Sequence, residues 1–245
     1  MRLPALMASP RASLGRSVGG PAHAEGRVEQ FDADATAMAQ ALVDRGVRLL
    51  ALDFDLTLVN VHTNGAWGDG PTDLRPHLRP LFRSLIPAVQ QQDIFVSVVT
   101  FSGQTDLIRE CLAYVVGSAE NAAAIVIRGG DSSWERAPVT HGEEGRYGLG
   151  KQQHMRSCCE EIERRCGHRP SGQEGELARL CLCTAISDAA LFADRPCACN
   201  ACSVMLVDDD EDNIDAALGC GHLSWHFRDG SVEELRAELK KLQHA

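Results

Sequence analysis

Two short acidic runs stand out, because each follows directly on a stretch of apolar residues. Asp53-Phe54-Asp55-Leu56-Thr57 comes after Val47–Leu52, and Asp208-Asp209-Asp210-Glu211-Asp212-Asn213 comes after Ser203–Val207. A third apolar run, Ile94–Val99, ends at Thr100. Strand C-termini in a parallel sheet share one edge, so Asp53, Thr100 and Asp208 can converge although they are far apart in the chain. Carboxylates gathered on one edge repel each other by about 4 kcal/mol per pair at 4 Å with an effective dielectric near 20. Raised pKa values are one way to offset this, and a bound cation is the other. Oxygen ligands without His or Cys suit Mg²⁺.

These residues need elements to hold them. Five runs read as strands: Val47–Leu52, Ile94–Val99, Ala124–Ile127, Ser203–Val207 and Leu223–Phe227. Several are apolar at consecutive positions, the pattern of strands covered on both faces. Helical stretches lie between them. Phe31–Arg45 has Asp32 or Asp34 as a cap and Gly46 after its end. Leu74–Gln91 must be interrupted or kinked by Pro76, Pro80 and Pro87. Gln104–Val116, Lys151–Arg165 and Asn213–Gly219 follow, and a last helix opens on the capping box Ser231–Glu234 and runs to about Leu242. The alternation predicts an α/β fold: a parallel sheet with helices on both faces.

With the acidic motifs in this strand context, the sequence resembles the haloacid dehalogenase-like superfamily, and within it the phosphatases, over about residues 47–228. Asp53–Thr57 matches the family's DxDxT motif, Val98-Val99-Thr100 its strand-ending hydroxyl, and Asp208-Asp209 its acidic pair after a strand. Lys151, in Gly150-Lys151-Gln152-Gln153-His154, matches its lysine upstream of that pair. The resemblance implies a three-layer Rossmann-like fold and hydrolysis of phosphate monoesters through an aspartyl phosphate. It implies Asp53 as nucleophile and Asp55 as general acid, then base. Mg²⁺ would be held by Asp53, the backbone carbonyl of Asp55, and Asp209, with Asp208 in support. Asn213 stands where many relatives carry a further acid, which leaves its role open. Thr100 and Lys151 would bind the phosphoryl oxygens. A flap follows the first motif in the family, so His62 or Trp67 is expected to contact the substrate. An acid at position 55 favours phosphoryl transfer over dehalogenation.

No large cap insertion is expected, since the intervals 55 to 100 and 100 to 151 are largely filled by core elements. An open site suits a bulky phosphorylated small molecule or a phosphoprotein. Two rivals stay open: a catalytically silent scaffold with the same fold, and a phosphotransferase that passes the group to a second substrate.

Composition bounds the rest. The chain has 245 residues, and 34 acidic against 24 basic residues leave a net charge of −10, which gives no electrostatic footprint for nucleic acid or anionic lipid. The longest apolar stretch, Ile94–Phe101, is far short of the ~20 residues that a membrane-spanning helix needs. Residues 1–30 are expected to form a disordered leader. Its first part carries Arg2, Arg11 and Arg16 and no acid up to residue 24, which fits either a plain tail or an organelle transit peptide. The corresponding locations are the cytoplasm or an organelle. Residues 31–245 would be one hydrolase domain, with a Cys-rich insert at about 167–202. Within the insert Cys181, Cys183, Cys197, Cys199 and Cys202 can supply four thiolates for a structural Zn²⁺, or stand as free thiols. Cys158 and Cys159 are read as helix packing. The oligomeric state is not legible.

Overall fold

The computed structural model describes residues 22–135, 150–166 and 203–228. Five strands form one parallel sheet: β1 (Val47–Leu52), β2 (Phe95–Val99), β3 (Val126–Arg128), β4 (Ser203–Asp208) and β5 (Leu223–His226), in the order β3-β2-β1-β4-β5. The order reverses at β1, where the chain first winds toward β3 and then crosses to β4. The helices are α1 (Ala22–Asp44), α2 (Pro71–Leu74), α3 (Pro80–Gln90), α4 (Thr105–Val115), α5 (Ala119–Ala124), α6 (Gln152–Cys166) and α7 (Glu211–Gly219).

Consecutive apolar strand residues serve two cores. Leu50, Leu52, Val96, Val98, Met205 and Val207 face one layer, where Met38 and Leu42 of α1 pack with Phe82 and Leu85 of α3 and Ile108 of α4. Leu49, Ala51, Val99, Val204 and Leu206 face the other, against Met155, Cys158, Cys159 and Ile162 of α6 and Ile214 and Ala217 of α7. The α/β class, parallel sheet and two-sided helix cover therefore agree with the expectation. Cys158 and Cys159 are buried packing residues, and burial pushes the Cys158 thiol up to about 12. Among the described residues no helix is long and apolar enough to cross a membrane.

Two element assignments are corrected, and a third is given its exact bounds. The first helix starts at Ala22, not Phe31, and so extends into the stretch read as leader. Leu74–Gln91 is interrupted, as its prolines predict: α2 ends at Leu74, a tight turn follows at Arg75–His77, and α3 begins at Pro80. Proline decides this. Pro80 sits in the first turn of α3, where no backbone N–H is needed, while Pro87 is tolerated inside it. Ala124, read as a strand start, closes α5, which is capped by the preceding Ser118, whose hydroxyl accepts from Asn121 N at 3.0 Å. The last helix expected, Ser231–Leu242, lies outside the described residues, as does the five-cysteine cluster.

Leu42 is 2% exposed and Leu206 fully buried, so each anchors one core. Leu42→Ala and Leu206→Ala should each cost about 2–5 kcal/mol by chemical denaturation. A loss at only one of them would contradict a sheet packed on both faces.

Candidate active site

The site is built at the C-terminal edge of the sheet, where the strand order reverses, the place at which open α/β sheets bind ligands. Leu52 pairs with Val207, and Asp53 N donates to Val207 O at 2.9 Å. Asp53 and Asp208 thus leave adjacent strands at the same level. Thr100 ends β2 on the other side of β1, with its N–H donating to Arg128 O at 3.0 Å.

Lys151 reaches this edge from the start of α6 and ion-pairs with Asp53 and, at 2.8 Å, with Asp208 Oδ2. The ammonium is 2% exposed, Asp53 is 5% exposed and Asp208 is fully buried. One buried cation therefore sits between two buried carboxylates. Burial pushes the Asp53 carboxyl up, to about 8; Lys151 opposes the rise and Asp208 adds to it. Burial alone would lower the pKa of Lys151, but its two carboxylate partners raise it, so the amine stays charged. Gly150, at φ 103°, makes the approach feasible: a Cβ there would lie 2.9 Å from Gln152 Oε1 and 3.2 Å from Asn213 Oδ1.

The acidic pair divides its work. Asp208 Oδ2 is taken by Lys151, and Oδ1 accepts from Asp210 N at 3.0 Å and from Asn213 Nδ2 at 3.2 Å. Asp209 is half-buried. Its Oδ1 accepts from Thr57 at 3.2 Å, and its backbone carbonyl lies 2.9 Å from His226 Nε2. Carboxylate oxygens of Asp53, Asp208 and Asp209 lie within 4.8 Å of one another. This all-oxygen donor set, with the residual negative charge of buried carboxylates beside one lysine, fits a hard divalent cation such as Mg²⁺.

After Asp53 the chain leaves strand geometry at once. Phe54–Leu58 makes one wide helical turn, closed by Val59 N donating to Phe54 O at 3.0 Å, with Leu56 at φ 58°. A leucine in the left-handed region is strained, and persists only where its surroundings hold it. Here Leu56 N donates to Val61 O at 3.1 Å, and Arg79 Nη2 donates to Leu56 O at 2.8 Å. On this turn Asp55 Oδ1 accepts from Thr63 Oγ1 at 2.8 Å and from Thr63 N at 3.2 Å, and Asp55 Oδ2 lies 3.0 Å from His62 Nδ1.

The structure thus brings together Asp53, Asp208, Asp209, Lys151 and Asn213. Asp55 is on the adjoining turn with His62, and Thr100 is at the end of the neighbouring strand. Trp67 is fixed within the flap: its backbone is clamped by Gln104, its indole N–H donates to Gly70 O at 3.0 Å, and its ring meets His77 edge-on. Thr57 and Thr63 orient the acids, and sequence reasoning gave neither a role. Thr57 lies within the first motif, which was a signal; Thr63 carried none. The Thr100 hydroxyl accepts from Ser102 N at 3.1 Å, and Gln104 is the residue that precedes the first turn of α4.

No protein-family model, curated protein or solved structure matches the chain.

Two outcomes follow from the charge balance. Lys151→Met leaves two buried carboxylates without their cation and should destabilise the metal-free protein by about 3–5 kcal/mol, with partial rescue by Mg²⁺. In wild type, Asp53 has a folded pKa above its unfolded value, so its contribution to stability is present at low pH and is lost as pH rises toward 8. A cation must displace that proton. Mg²⁺ affinity should therefore rise between about pH 6 and 8, with about one proton released per ion near pH 7. Calorimetry in buffers of different ionisation enthalpy measures the proton count, and a count of zero would contradict the assignment.

Proposed function

We propose that the chain is a Mg²⁺-dependent phosphatase of the haloacid dehalogenase-like type, hydrolysing phosphate monoesters through a phosphorylated Asp53. The observation that carries this reading is the buried Asp53, ion-paired to Lys151 and level with Asp208, within reach of Asp209 at the strand-order reversal. The order of the four motifs along the chain supports it further.

Each residue has a task in this reading. Asp53 Oδ attacks phosphorus, and the bond from phosphorus to the ester oxygen breaks as Asp55 gives that oxygen a proton. Water then attacks the phosphorus of the aspartyl phosphate. Asp55, now ionised, takes the water's proton, and Asp53 leaves as carboxylate with inorganic phosphate as product. Thr63 and His62 hold Asp55 at its post on the strained turn. The Lys151 ammonium and the Thr100 hydroxyl donate to phosphoryl oxygens. Asp208 keeps Lys151 in place and Asn213 keeps Asp208 in place. Mg²⁺, held by Asp53, Asp209 and the Asp55 backbone carbonyl, would neutralise negative charge that builds on the phosphoryl group. In this reading Asp209, not Asp208, contacts the ion, because Asp208 already spends its oxygens on protein donors.

Between Asp55 and Thr100 the chain is flap, α2, α3 and β2, so no separate cap domain stands in that interval. A mouth left open on that side would suit a phosphorylated side chain of a protein or a bulky phosphorylated small molecule.

The purified chain should hydrolyse p-nitrophenyl phosphate with Mg²⁺ and lose activity with a chelator. Asp53→Asn should lower kcat by at least about 10⁴-fold. Asp55→Asn should lower it by about 10²–10⁴-fold. Full activity in Asp53→Asn, or no turnover across a broad phosphoester panel, would overturn the proposal.

A further inference from the structure

A second cationic feature lies away from the carboxylate cluster, on the side of the sheet covered by α1, α3 and α4. A groove of about 510 Å³ runs there between the start of α3, the end of α4 and the chain after β5. That volume lies within the range of small-molecule sites. Its walls include Arg75, Arg79, Arg83, Tyr114 and Phe227.

The arginines are held in an unusual way. The Arg75 and Arg83 guanidinium carbons both lie over the ring of Tyr114, at 4.9 and 5.3 Å from its centroid. Arg79 lies over Phe227 at 4.8 Å and spends one N–H on the Leu56 carbonyl. Stacking fixes a guanidinium plane and leaves its N–H edges free for an oxyanion. Among the described residues, neither Arg75 nor Arg83 has a carboxylate partner. Arginines elsewhere do: Arg156 pairs with Glu160, and Arg164 and Arg165 both pair with Glu161. Asp32, on α1, accepts from the Ser84 hydroxyl. Two like charges thus share one aromatic ring with no counter-ion among the described residues, in a protein of net charge −10. An anion between them would relieve the repulsion, and the aromatic and proline walls would cover an apolar body attached to it.

We infer that this groove is a binding site for a small organic oxyanion, a phosphate or carboxylate group on an apolar body, held by Arg75 and Arg83 against Tyr114. It borders the strained turn through Arg79, but the inference does not rest on the phosphatase reading, and its test needs neither Mg²⁺ nor turnover.

The probes are phenylphosphonate, which cannot be hydrolysed as an ester, and benzoate. Each is titrated calorimetrically into the full chain at low salt with a chelator present, so that the carboxylate cluster without a cation repels them. Saturable one-to-one binding of at least one probe is expected, with Kd at or below about 1 mM. Preference between the two separates a phosphate-type ligand from a carboxylate. Arg75→Gln/Arg83→Gln, at exposed positions, should weaken binding at least about tenfold. Tyr114→Phe keeps the ring and should stay within about twofold of wild type. Absence of binding by both probes, or equal binding by the double arginine variant, would overturn the inference.

Discussion

One buried ammonium placed between two buried carboxylates organises the upper edge of this molecule. Asp53 and Asp208 are brought level by strand pairing, and two ionised carboxylates held side by side in a dry setting need a counter-charge or a proton. Lys151 supplies one positive charge against the two, and Asp209 stands close by. The cluster keeps an excess of negative charge, and in the proposed reading that excess is what would attract a divalent cation. In that reading stability and function would oppose each other at Asp53, whose ionisation burial makes costly in the metal-free fold.

The rest of the architecture serves that edge. Two cores grip the sheet, so β1 and β4 cannot shift in register without moving every buried side chain to the wrong layer. Lys151 is delivered by α6 from one layer, while the turn bearing Asp55 is braced from the other, through Arg79 at the start of α3. Backbone pairing adds to the brace: Arg79 N donates to Leu58 O, and Asn60 N donates to His77 O. The strained Leu56 is held from both of its peptide groups, which is how the chain leaves a strand and turns within three residues.

Much of this was legible in the sequence because burial on both faces leaves a plain mark. β1 matches its apolar run residue for residue, and the other four strands lie within a residue or two of theirs. Asp53, Thr100 and Asp208 were found because each ends such a run. Lys151 was found through family resemblance alone, since a lysine at a helix start has no periodic signature of its own. What stayed hidden depends on loop paths. The hold of Thr63 on Asp55 requires the flap to fold back on the turn, and no local pattern encodes that. The prolines announced a break after Leu74 without showing that Pro80 would begin a new helix. Ala119–Ala124 is too short for a periodic stripe, and only Ser118 marked its start. The arginine groove joins Arg75 and Arg83 to Tyr114, 39 and 31 residues further along the chain, and tertiary packing alone reveals it.

The central claim is that Asp53 and Asp209 share one divalent cation beside Lys151. Anomalous diffraction from crystals grown with Mn²⁺ in place of Mg²⁺ tests it most directly. The account predicts a peak between the Asp53 and Asp209 carboxylates, with Asp208 still bound to Lys151. A fully occupied Mn²⁺ elsewhere, with that position empty, would contradict it.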